Sequence, residues 1–323
     1  MPRAAILLNG GSRSKRAARE RERLSEILRS SRLQADLLSA DSGAEFAQLA
    51  RQAALSDHYD MIVAAGGDGT VNAVASAVWR ANKDIRDTSG AKIMGVLPLG
   101  TVNHFAKTLR IPMDLAEAVQ CLEEPATWLV DLGDVNGKVF VNNSTLGIYP
   151  KIVRYREHLR LNRRLNKWAA FAYAAARMVP GHEPERLRLT IDGARAISAR
   201  THFVFIGRSD GTLGSIDIIP DEKPGPGELS VFLVHARRNL LRLASRALAG
   251  KLSEAEGVET FRAGEIYIEG EARRLQVAMD GEVVPLPTPL HYRVRRRALR
   301  VAGPKREPEI VGVPSEPMLQ EGG

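Results

Sequence analysis

The sequence predicts two domains, an α/β domain built on a parallel sheet and then a mainly antiparallel β domain. Over residues 4–133, apolar runs typical of buried strands alternate with helical patterns, which indicates a parallel sheet with helices on both faces. Beyond residue 133, short strand-like runs with turn signals between them indicate an antiparallel sheet. We therefore place the first domain at residues 1–133 and the second at residues 134–302.

The predicted elements of the first domain alternate along the chain. The buried strand AAILLN at residues 4–9 is followed by a glycine-serine loop and a charged helical stretch at residues 15–30. Further strands are predicted at residues 34–40, 59–66 and 92–98, and further helices at residues 44–55, after GGDGTVN, after GTVN and at residues 115–122. The run TWLVDLGDV then leads out of this domain.

The second domain is predicted from short strand-like runs bounded by turn residues. These runs are KVFVNNSTLGIY, RLRLTIDG, ARTHFVFIG, ELSVFLV, GEIYIEG and LQVAMDGEVV. Two helical inserts, at residues 151–178 and 238–249, interrupt them. The strand-like HYRVRRRALRV comes last and can return to the first domain. Residues 303–323, with four prolines and little periodicity, are expected to form a flexible tail.

The composition indicates a soluble protein of a reducing compartment. Hydrophobic residues make up 44% of the 323 residues and charged residues 26%, which is ordinary for a globular chain. The single cysteine, Cys121, allows no disulfide within the chain. The apolar run at residues 4–8 is too short for a signal-peptide core, and no stretch approaches the roughly 18 apolar residues of a membrane span. We therefore expect a cytoplasmic protein.

The stretch GGDGTVN, at residues 66–72, has the context of a phosphate-binding loop. It joins an apolar strand to a helical pattern, where glycines let backbone N–H groups and the helix dipole approach an anion. It lacks the Gly-Lys-Ser/Thr of a Walker A loop and the third glycine of a dinucleotide fingerprint. Asp68 would repel phosphate unless it binds a metal or a proton, so it favours a further chemical role. The simpler alternative is a tight turn whose aspartate caps the helix.

The stretch PLGTVNHFA, at residues 98–106, repeats this arrangement of an apolar strand, a Gly-Thr turn, a polar Asn and a helix. Two such loops at the ends of neighbouring parallel strands are expected to converge on one crevice. Thr70 and Thr101 can donate to phosphate oxygens, whereas Asn72 and Asn103 can orient the loops or contact a nucleotide. Helix capping would explain the second loop alone, but the pair favours nucleotide binding.

These residues resemble the catalytic domain of the diacylglycerol kinase family, which includes sphingosine kinases, ceramide kinases and bacterial lipid kinases, with NAD kinases as distant relatives. The resemblance rests on GGDGTVNAV and LPLGTVNHFAKTLRIP, extends to VNNSTLGIYPKIV and MDGEVV, and covers most of residues 4–302. It implies an NAD-kinase-like first domain and transfer of the γ-phosphate of ATP, with Mg²⁺, to the hydroxyl of a lipid such as diacylglycerol.

The resemblance also carries the family's site onto individual positions of this chain. It implies nucleotide contacts from the two loops and two earlier strand ends, namely Asn9, Ser39, Gly66, Gly67, Asp68, Gly69, Thr70, Asn72, Gly100, Thr101 and Asn103. Glu282 takes the position of the general base. Whether Glu282 or Asp68 accepts the hydroxyl proton stays open, and Asp68 and Asp280 are both candidates for holding Mg²⁺. Asp280-Gly281 is also a strong hairpin signal that needs no catalytic role.

The sequence departs from the family's pattern at several positions. Ala73 stands where members often have Glu, and His104 where they often have Asp. Pro226 replaces the aspartate of an Asp-Gly pair that helps bind a structural metal in bacterial members, and Arg208-Ser209 replaces an Asn-Gly pair. These departures keep a non-catalytic nucleotide- or lipid-binding protein among the alternatives. NAD kinase is another alternative, although the GTVNHFAK loop favours a lipid kinase.

Residues 151–179 carry eight Lys or Arg and one acidic residue, interleaved with Trp168, Phe171 and Tyr173. Such a helix can lie on an anionic membrane, gaining about 1 kcal/mol for each basic residue near the surface. The alternative is a helix that packs its apolar stripe on the β domain and leaves its arginines solvated. No nucleic-acid recognition motif accompanies the charge. We therefore expect a lipid substrate, peripheral association with the inner face of the membrane and no nucleic acid. The resemblance is compatible with a homodimer.

Overall fold

The chain forms two compact units, of which the first comprises residues 1–131 and 296–323 and the second residues 132–295. The computed structural model describes residues 2–9, 15–85, 90–163, 173–174, 177–178, 181–207, 212–213, 216–217, 227–236 and 257–305. The chain leaves the first unit within strand β5 (Ala126–Val135) and returns to it within strand β17 (Leu290–Gly303).

The first unit is a parallel sheet with helices packed on it. Its strands lie in the order β2–β1–β3–β4, with the end of β17 beside β4. The bounds are β1 (Ala4–Asn9), β2 (Ala35–Ala40), β3 (Met61–Gly66), β4 (Ile93–Pro98), α1 (Lys15–Ser30), α2 (Gly43–Leu55), α3 (Asp68–Asn82), α4 (His104–Thr108) and α5 (Leu115–Glu123). The central strands β1 and β3 are buried along nearly their whole length, which explains their continuous apolar sequences.

Side-chain caps explain where two of these helices begin. The hydroxyl of Ser42 accepts a hydrogen bond from the N–H of Glu45 at 3.2 Å, just before α2. The carboxylate of Asp114 accepts from the N–H groups of Ala116 and Glu117 at 2.9 and 3.2 Å, just before α5. Such bonds satisfy N–H groups that a helix cannot pair internally.

The second unit is an antiparallel sheet with one described helix, α6 (Ile148–Arg163). Its strands run in the order β16–β15–β7–β9–β8–β14–β17, while β12 pairs with β9 and β13, and β6 pairs with β5. Their bounds are β6 (Lys138–Phe140), β7 (Asn143–Gly147), β8 (Glu185–Ile191), β9 (Arg195–Gly207), β12 (Leu229–His235), β13 (Val258–Ala263), β14 (Glu265–Gly270), β15 (Arg274–Met279) and β16 (Glu282–Pro287). A separate pair is formed by β10 (Thr212–Leu213) and β11 (Ile216–Asp217). The parallel first unit and antiparallel second unit confirm the predicted fold class.

The structure divides two runs that the sequence suggests are continuous. KVFVNNSTLGIY becomes β6, β7 and the start of α6. Gly147, at φ +85°, ends β7, where its backbone lies so close to the carbonyl of His202 that a Cβ would clash with it. LQVAMDGEVV becomes β15 and β16, joined by a two-residue turn. The strand β13 was not predicted, since VETFRA mixes charged and apolar residues.

Several predicted segments lie wholly or partly outside the described residues. The helical insert at residues 238–249 is one, and residues 164–172 of the other insert are a second. Of the predicted tail, Gly303 ends β17 and residues 306–323 are not described. In the described parts of the chain, no helix is long and apolar enough to cross a membrane.

The described part of the basic insert packs one face into the second unit. Ile148, Ile152 and Leu159 of α6 form a buried cluster, and Arg156 is 7% exposed. Arg154 is exposed and donates to the side chain of Gln276 at 3.3 Å. This part of the helix therefore fits the packing alternative. Of the three aromatic residues, Trp168 and Phe171 lie outside the described residues and Tyr173 is exposed.

Candidate functional site

The carboxyl ends of the parallel strands in the first unit form one edge, and the predicted nucleotide-binding residues lie along it. The register places Leu8 of β1 beside both Ser39 of β2 and Ala65 of β3. Gly66 of β3 lies beside Pro98 of β4, so the strand ends are level. Ligands of open α/β sheets bind at this edge because loops and helix N-termini gather there.

The two glycine loops at this edge are in direct contact. The N–H of Leu99 donates to the carbonyl of Gly66 at 3.2 Å. A Cβ on Gly100 would lie 2.5 Å from the Cα of Gly67, and one on Gly67 would lie 3.3 Å from the Cα of Gly100. Backbone therefore packs on backbone, which explains why both positions are glycine.

The helix that follows the first loop presents an N-terminus that no side chain caps. Its N-cap is Gly67, in an extended conformation, and the first bond inside α3 runs from Val71 N–H to the Gly67 carbonyl at 3.0 Å. The N–H groups of Asp68, Gly69 and Thr70 precede that bond. Unlike α2 and α5, α3 thus offers backbone donors and the positive end of its dipole to an anion.

Asp68 links the two loops rather than capping its own helix. Its Oδ1 accepts a hydrogen bond from the backbone N–H of Phe105 in α4 at 3.4 Å. This is the hydrogen bond that the structure gives the Asp68 carboxylate among the described residues. Asn103 adopts a left-handed conformation, with φ 54° and ψ 46°, and its side-chain amide donates to the carbonyl of Gly100 at 3.0 Å. Asparagine tolerates this conformation better than most residues, which explains its place in the turn.

Two buried amide oxygens beside the loops are unsatisfied. Within the described residues, Oδ1 of Asn72 and Oδ1 of Asn103 have no hydrogen-bond partner, and Asn72 is only 8% exposed. Buried polar atoms are usually paired because desolvating them without a partner costs about 1–3 kcal/mol. These acceptors, the glycine contact and the uncapped helix together fit a ligand with phosphate groups and additional hydrogen-bond donors.

The remaining predicted contacts differ in how accessible they are. Asn9 and Thr101 are exposed, and so is Ser39, whose hydroxyl lies 3.5 Å from the guanidinium of Arg21. Thr70 is only 7% exposed, and its hydroxyl lies 2.4 Å from where a Cβ of Gly66 would be. Its hydroxyl is therefore packed close to the backbone of Gly66 and is less available to a ligand than the hydroxyl of Thr101.

The second unit carries Glu282 at the start of β16, directly after a tight turn. Met279 pairs with Glu282, and the two residues between them, Asp280 and Gly281, have φ values of 47° and 87°. This is the hairpin geometry that Asp-Gly favours. The Glu282 side chain is exposed at the hairpin, yet desolvation by the surrounding protein raises the pKa of its carboxyl above the ordinary value.

Asp280 anchors this hairpin to the turn between β6 and β7. Its carboxylate accepts from three backbone N–H groups, those of Val141 at 2.8 Å, Asn142 at 2.8 Å and Asn143 at 3.1 Å. Its own N–H donates to the Asn143 carbonyl at 2.9 Å. Both oxygens are thus engaged, so Asp280 is a poor Mg²⁺ ligand. No cluster of three or more metal-ligating side chains occurs within the described ranges.

The anchor role of Asp280 and the link from Asp68 to Phe105 are features that the sequence did not reveal. The Asp-Gly turn gave a signal for the hairpin, but nothing in a linear pattern pairs residue 280 with residues 141–143. Among the departures from the family's pattern, His104 begins α4 and Ala73 lies within α3. Pro226 and Arg208-Ser209 lie outside the described residues.

Comparison with solved structures finds the same fold in proteins of Bacillus anthracis strain Sterne. One matches with a TM-score of 0.73 and 21% identity, covering 94% of this chain and 98% of its own. Another, described as a diacylglycerol kinase, matches with a TM-score of 0.66 and 19% identity, covering 96% of this chain and 98% of its own.

Comparison with sequences finds curated relatives and two family models. A diacylglycerol kinase of Staphylococcus aureus strain JH9 is 27% identical over 237 residues, which are 70% of this chain and 72% of that protein. Its counterpart in the bovine strain RF122 is 29% identical over 241 residues, which are 73% and 72%. The diacylglycerol kinase catalytic domain matches residues 3–135, and the YegS C-terminal NAD kinase beta sandwich-like domain matches residues 151–303. The chain therefore belongs to the diacylglycerol kinase catalytic-domain family.

Proposed function

We propose that this protein is an ATP-dependent lipid kinase that phosphorylates the hydroxyl of diacylglycerol or a similar neutral lipid. The observation that carries the proposal is the contact between the two glycine loops at the uncapped N-terminus of α3. The relatives named diacylglycerol kinase give the reaction class. Phosphoryl transfer depends mainly on positioning and charge neutralisation, and paired phosphate loops supply both.

In this proposal the nucleotide binds at the strand edge of the first unit. The N–H groups of Asp68, Gly69 and Thr70 would hold phosphate oxygens, and the amide oxygens of Asn72 and Asn103 would accept from donors of the ligand. ATP with Mg²⁺ would supply the transferable phosphoryl group and much of the charge neutralisation.

Asp68 is the carboxylate that we assign to Mg²⁺. It lies in the first turn of α3 between the two loops. One carboxylate is a sufficient protein contribution, because Mg²⁺ usually completes its octahedron with phosphate oxygens and water. Asp280 is left out of this assignment since three backbone N–H groups occupy its carboxylate.

Glu282 is the residue that we assign as general base. Its carboxyl is exposed at the hairpin, and its raised pKa makes it a better proton acceptor than an ordinary surface glutamate. The anchored turn fixes its backbone. We also propose that the protein acts at the inner face of the membrane, because its lipid substrate is there.

Purified protein is to be assayed for ATP turnover and labelled lipid product on phosphatidylcholine vesicles containing diacylglycerol. Asp68→Asn and Glu282→Gln should each lower kcat at least about 100-fold, the usual scale for losing a metal ligand or general base. The exposed matched controls Asp57→Asn and Glu271→Gln should keep wild-type activity. Unchanged turnover in both active-site variants would overturn the mechanism.

The same preparation separates the rival functions. Phosphorylation of NAD without phosphorylation of any lipid would identify an NAD kinase. ATP binding without transfer to any lipid of a whole extract would identify a non-catalytic binding protein, as the residues at Ala73 and His104 would allow.

A further inference from the structure

The second unit contains a cavity that shares no residue with the candidate site. Its volume is about 1040 Å³, enough for an organic ligand of ordinary size. It lies beside the middle of β9 and the end of β12. The described residues that line it are Pro184, Ser198, Ala199, Arg200, His202, His235, Ala236 and Gly257.

Two adjacent imidazoles, one lining this cavity and the other beside it, have unsatisfied nitrogens. His202 lines the cavity and is only 8% exposed, and its Nδ1 has no partner among the described residues. The ring of His182 lies 5.4 Å from that of His202, and its Nε2 is also buried without a partner in the described part of the chain. Buried polar atoms are normally paired, so the Nδ1 of His202 is available to a hydrogen-bonding ligand in the cavity.

The cavity wall also carries the positive charge of Arg200, and none of its described lining residues is acidic. Arg200 is exposed, lies two positions from His202 on β9, and pairs with no acidic side chain of the described residues. Opposite Arg200 on β8 lies a second arginine, Arg186, which pairs with Glu271 at 3.3 Å. Glu271 therefore compensates the charge of Arg186, whereas Arg200 directly opposite has no such partner among the described residues.

The acidic residues nearest this wall are already paired, one of them with the lining residue His235. Glu259 lies 3.2 Å from the ring of His235 and 2.5 Å from Arg195. Glu185 lies 3.7 Å from the ammonium of Lys151, which in turn is 3.5 Å from Nδ1 of His182. These carboxylates thus have partners of their own, and Arg200 is left as the charged lining residue that none of them pairs with.

Burial is the main cause that lowers the pKa values of the two histidines, and nearby cations add to it. Desolvation and then the charge of Lys151 lower the pKa of His182 to about 4. Desolvation also lowers the pKa of His202; a hydrogen bond with the backbone of Ala236 opposes this, and the charge of Arg200 lowers the pKa further. A bound cation would be repelled by the same charges, whereas an anion would relieve the repulsion.

We propose that this cavity binds a phosphate monoester through Arg200 and His202, with His235 at its wall and His182 beside His202. A phosphate monoester offers several acceptor oxygens for Arg200 and, as a monoanion, one P–OH that can donate to a neutral imidazole nitrogen. The ester can come from a free metabolite or from a lipid headgroup. The site is independent of the proposed kinase reaction, so either proposal can fail without the other.

Binding is to be measured on the full chain by calorimetry and by the ring proton resonances of the histidines, with an excess of the ATP analogue AMP-PNP to occupy the nucleotide loops. The probes are inorganic phosphate, glycerol 3-phosphate, and phosphatidylcholine vesicles with or without phosphatidic acid. Binding of glycerol 3-phosphate identifies a free ester as the source. Binding only to vesicles with phosphatidic acid identifies a lipid headgroup.

Arg200→Ala should weaken binding at least about tenfold, as expected for the loss of one charge-assisted contact. Arg200 is exposed, so this variant should fold, and thermal melting checks that it does. The matched control is Arg274→Ala, which removes an equal charge from an exposed position of β15 outside the cavity. His202→Asn should also weaken binding and remove the shift of the His182 resonance.

Three outcomes would overturn the proposal. One is that none of the probes binds. Another is that Arg200→Ala and Arg274→Ala bind equally well. The third is that Zn²⁺ binds the wild-type protein and His202→Asn does not, which would identify a cation site instead.

Discussion

Substituting Gly100 by alanine tests whether the contact between the two loops is needed for nucleotide binding. The new Cβ would lie 2.5 Å from the Cα of Gly67 and 2.5 Å from Oδ1 of Asn103. Ordinary carbon contacts begin near 3.5 Å, so the loops must separate by about 1 Å. Since one of the obstructing atoms is backbone, no rotation of a side chain can remove the clash.

The size of the effect follows from that displacement. Overpacking of this kind costs about 1–3 kcal/mol in stability. A misplacement of about 1 Å at a phosphoryl-transfer site costs up to about 100-fold in rate. We therefore expect Gly100→Ala to lower ATP affinity at least about tenfold, a change of about 1.4 kcal/mol, and to lower kcat further.

The assay is ATP binding by calorimetry followed by ATP turnover on diacylglycerol vesicles. Gly43→Ala is the matched control, because a Cβ there meets nothing within 4 Å. Melting temperatures of both variants establish that they are folded at the assay temperature. If folded Gly100→Ala bound and used ATP as the control does, the loop contact would be irrelevant to the site, and our reasoning would be refuted.

Four further predictions concern the second unit. Asp280→Ala should destabilise the protein by about 2–4 kcal/mol in denaturant unfolding, since three backbone N–H groups lose their acceptor. It should not change the Mg²⁺ dependence of turnover, and a changed dependence would show that Asp280 binds the metal. The acid limb of the kcat profile should lie above pH 4.5, the ordinary pKa of a glutamate, because only deprotonated Glu282 accepts a proton, and Glu282→Gln should lack that limb. Because folding raises the pKa of Glu282, its protonated carboxyl favours the folded state. This contribution to the free energy of unfolding is fully present below pH 4.5 and is lost as pH rises through the folded-state pKa. Tyr292→Phe should cost about 1–2 kcal/mol by stranding the buried hydroxyl of Ser144, which lies 2.9 Å from that of Tyr292, and adding Ser144→Ala should recover part of the loss.

The sequence predicted the first unit better than the second. The strands β1, β3 and β4 have continuous apolar runs because both faces of each strand are covered, and such runs are visible without knowledge of their neighbours. The edge strand β2 is only partly buried and carries Asp36 and Ser39. In the second unit, β13 was missed and β6, β7 and α6 were merged. Short strands with mixed composition depend on their partners, and a turn such as that at Gly147 is defined by an approach to His202 that no local pattern reveals.

The site was predictable where it is local in sequence. The two glycine loops follow buried strands, and the structure brings them into contact. What could not be predicted are bonds between distant residues, above all the bonds from Asp280 to residues 141–143 and the 3.4 Å approach of Asp68 to Phe105. These bonds join positions 37 to 139 residues apart, so only the fold specifies them.

Transfer of labelled phosphate from ATP to diacylglycerol in vesicles tests the central claim most directly. Our account predicts a phosphorylated lipid with the wild-type protein and with Asp57→Asn and Glu271→Gln, and at least about 100-fold less with Asp68→Asn and Glu282→Gln. Absence of lipid phosphorylation by a folded wild-type protein that binds ATP would contradict it.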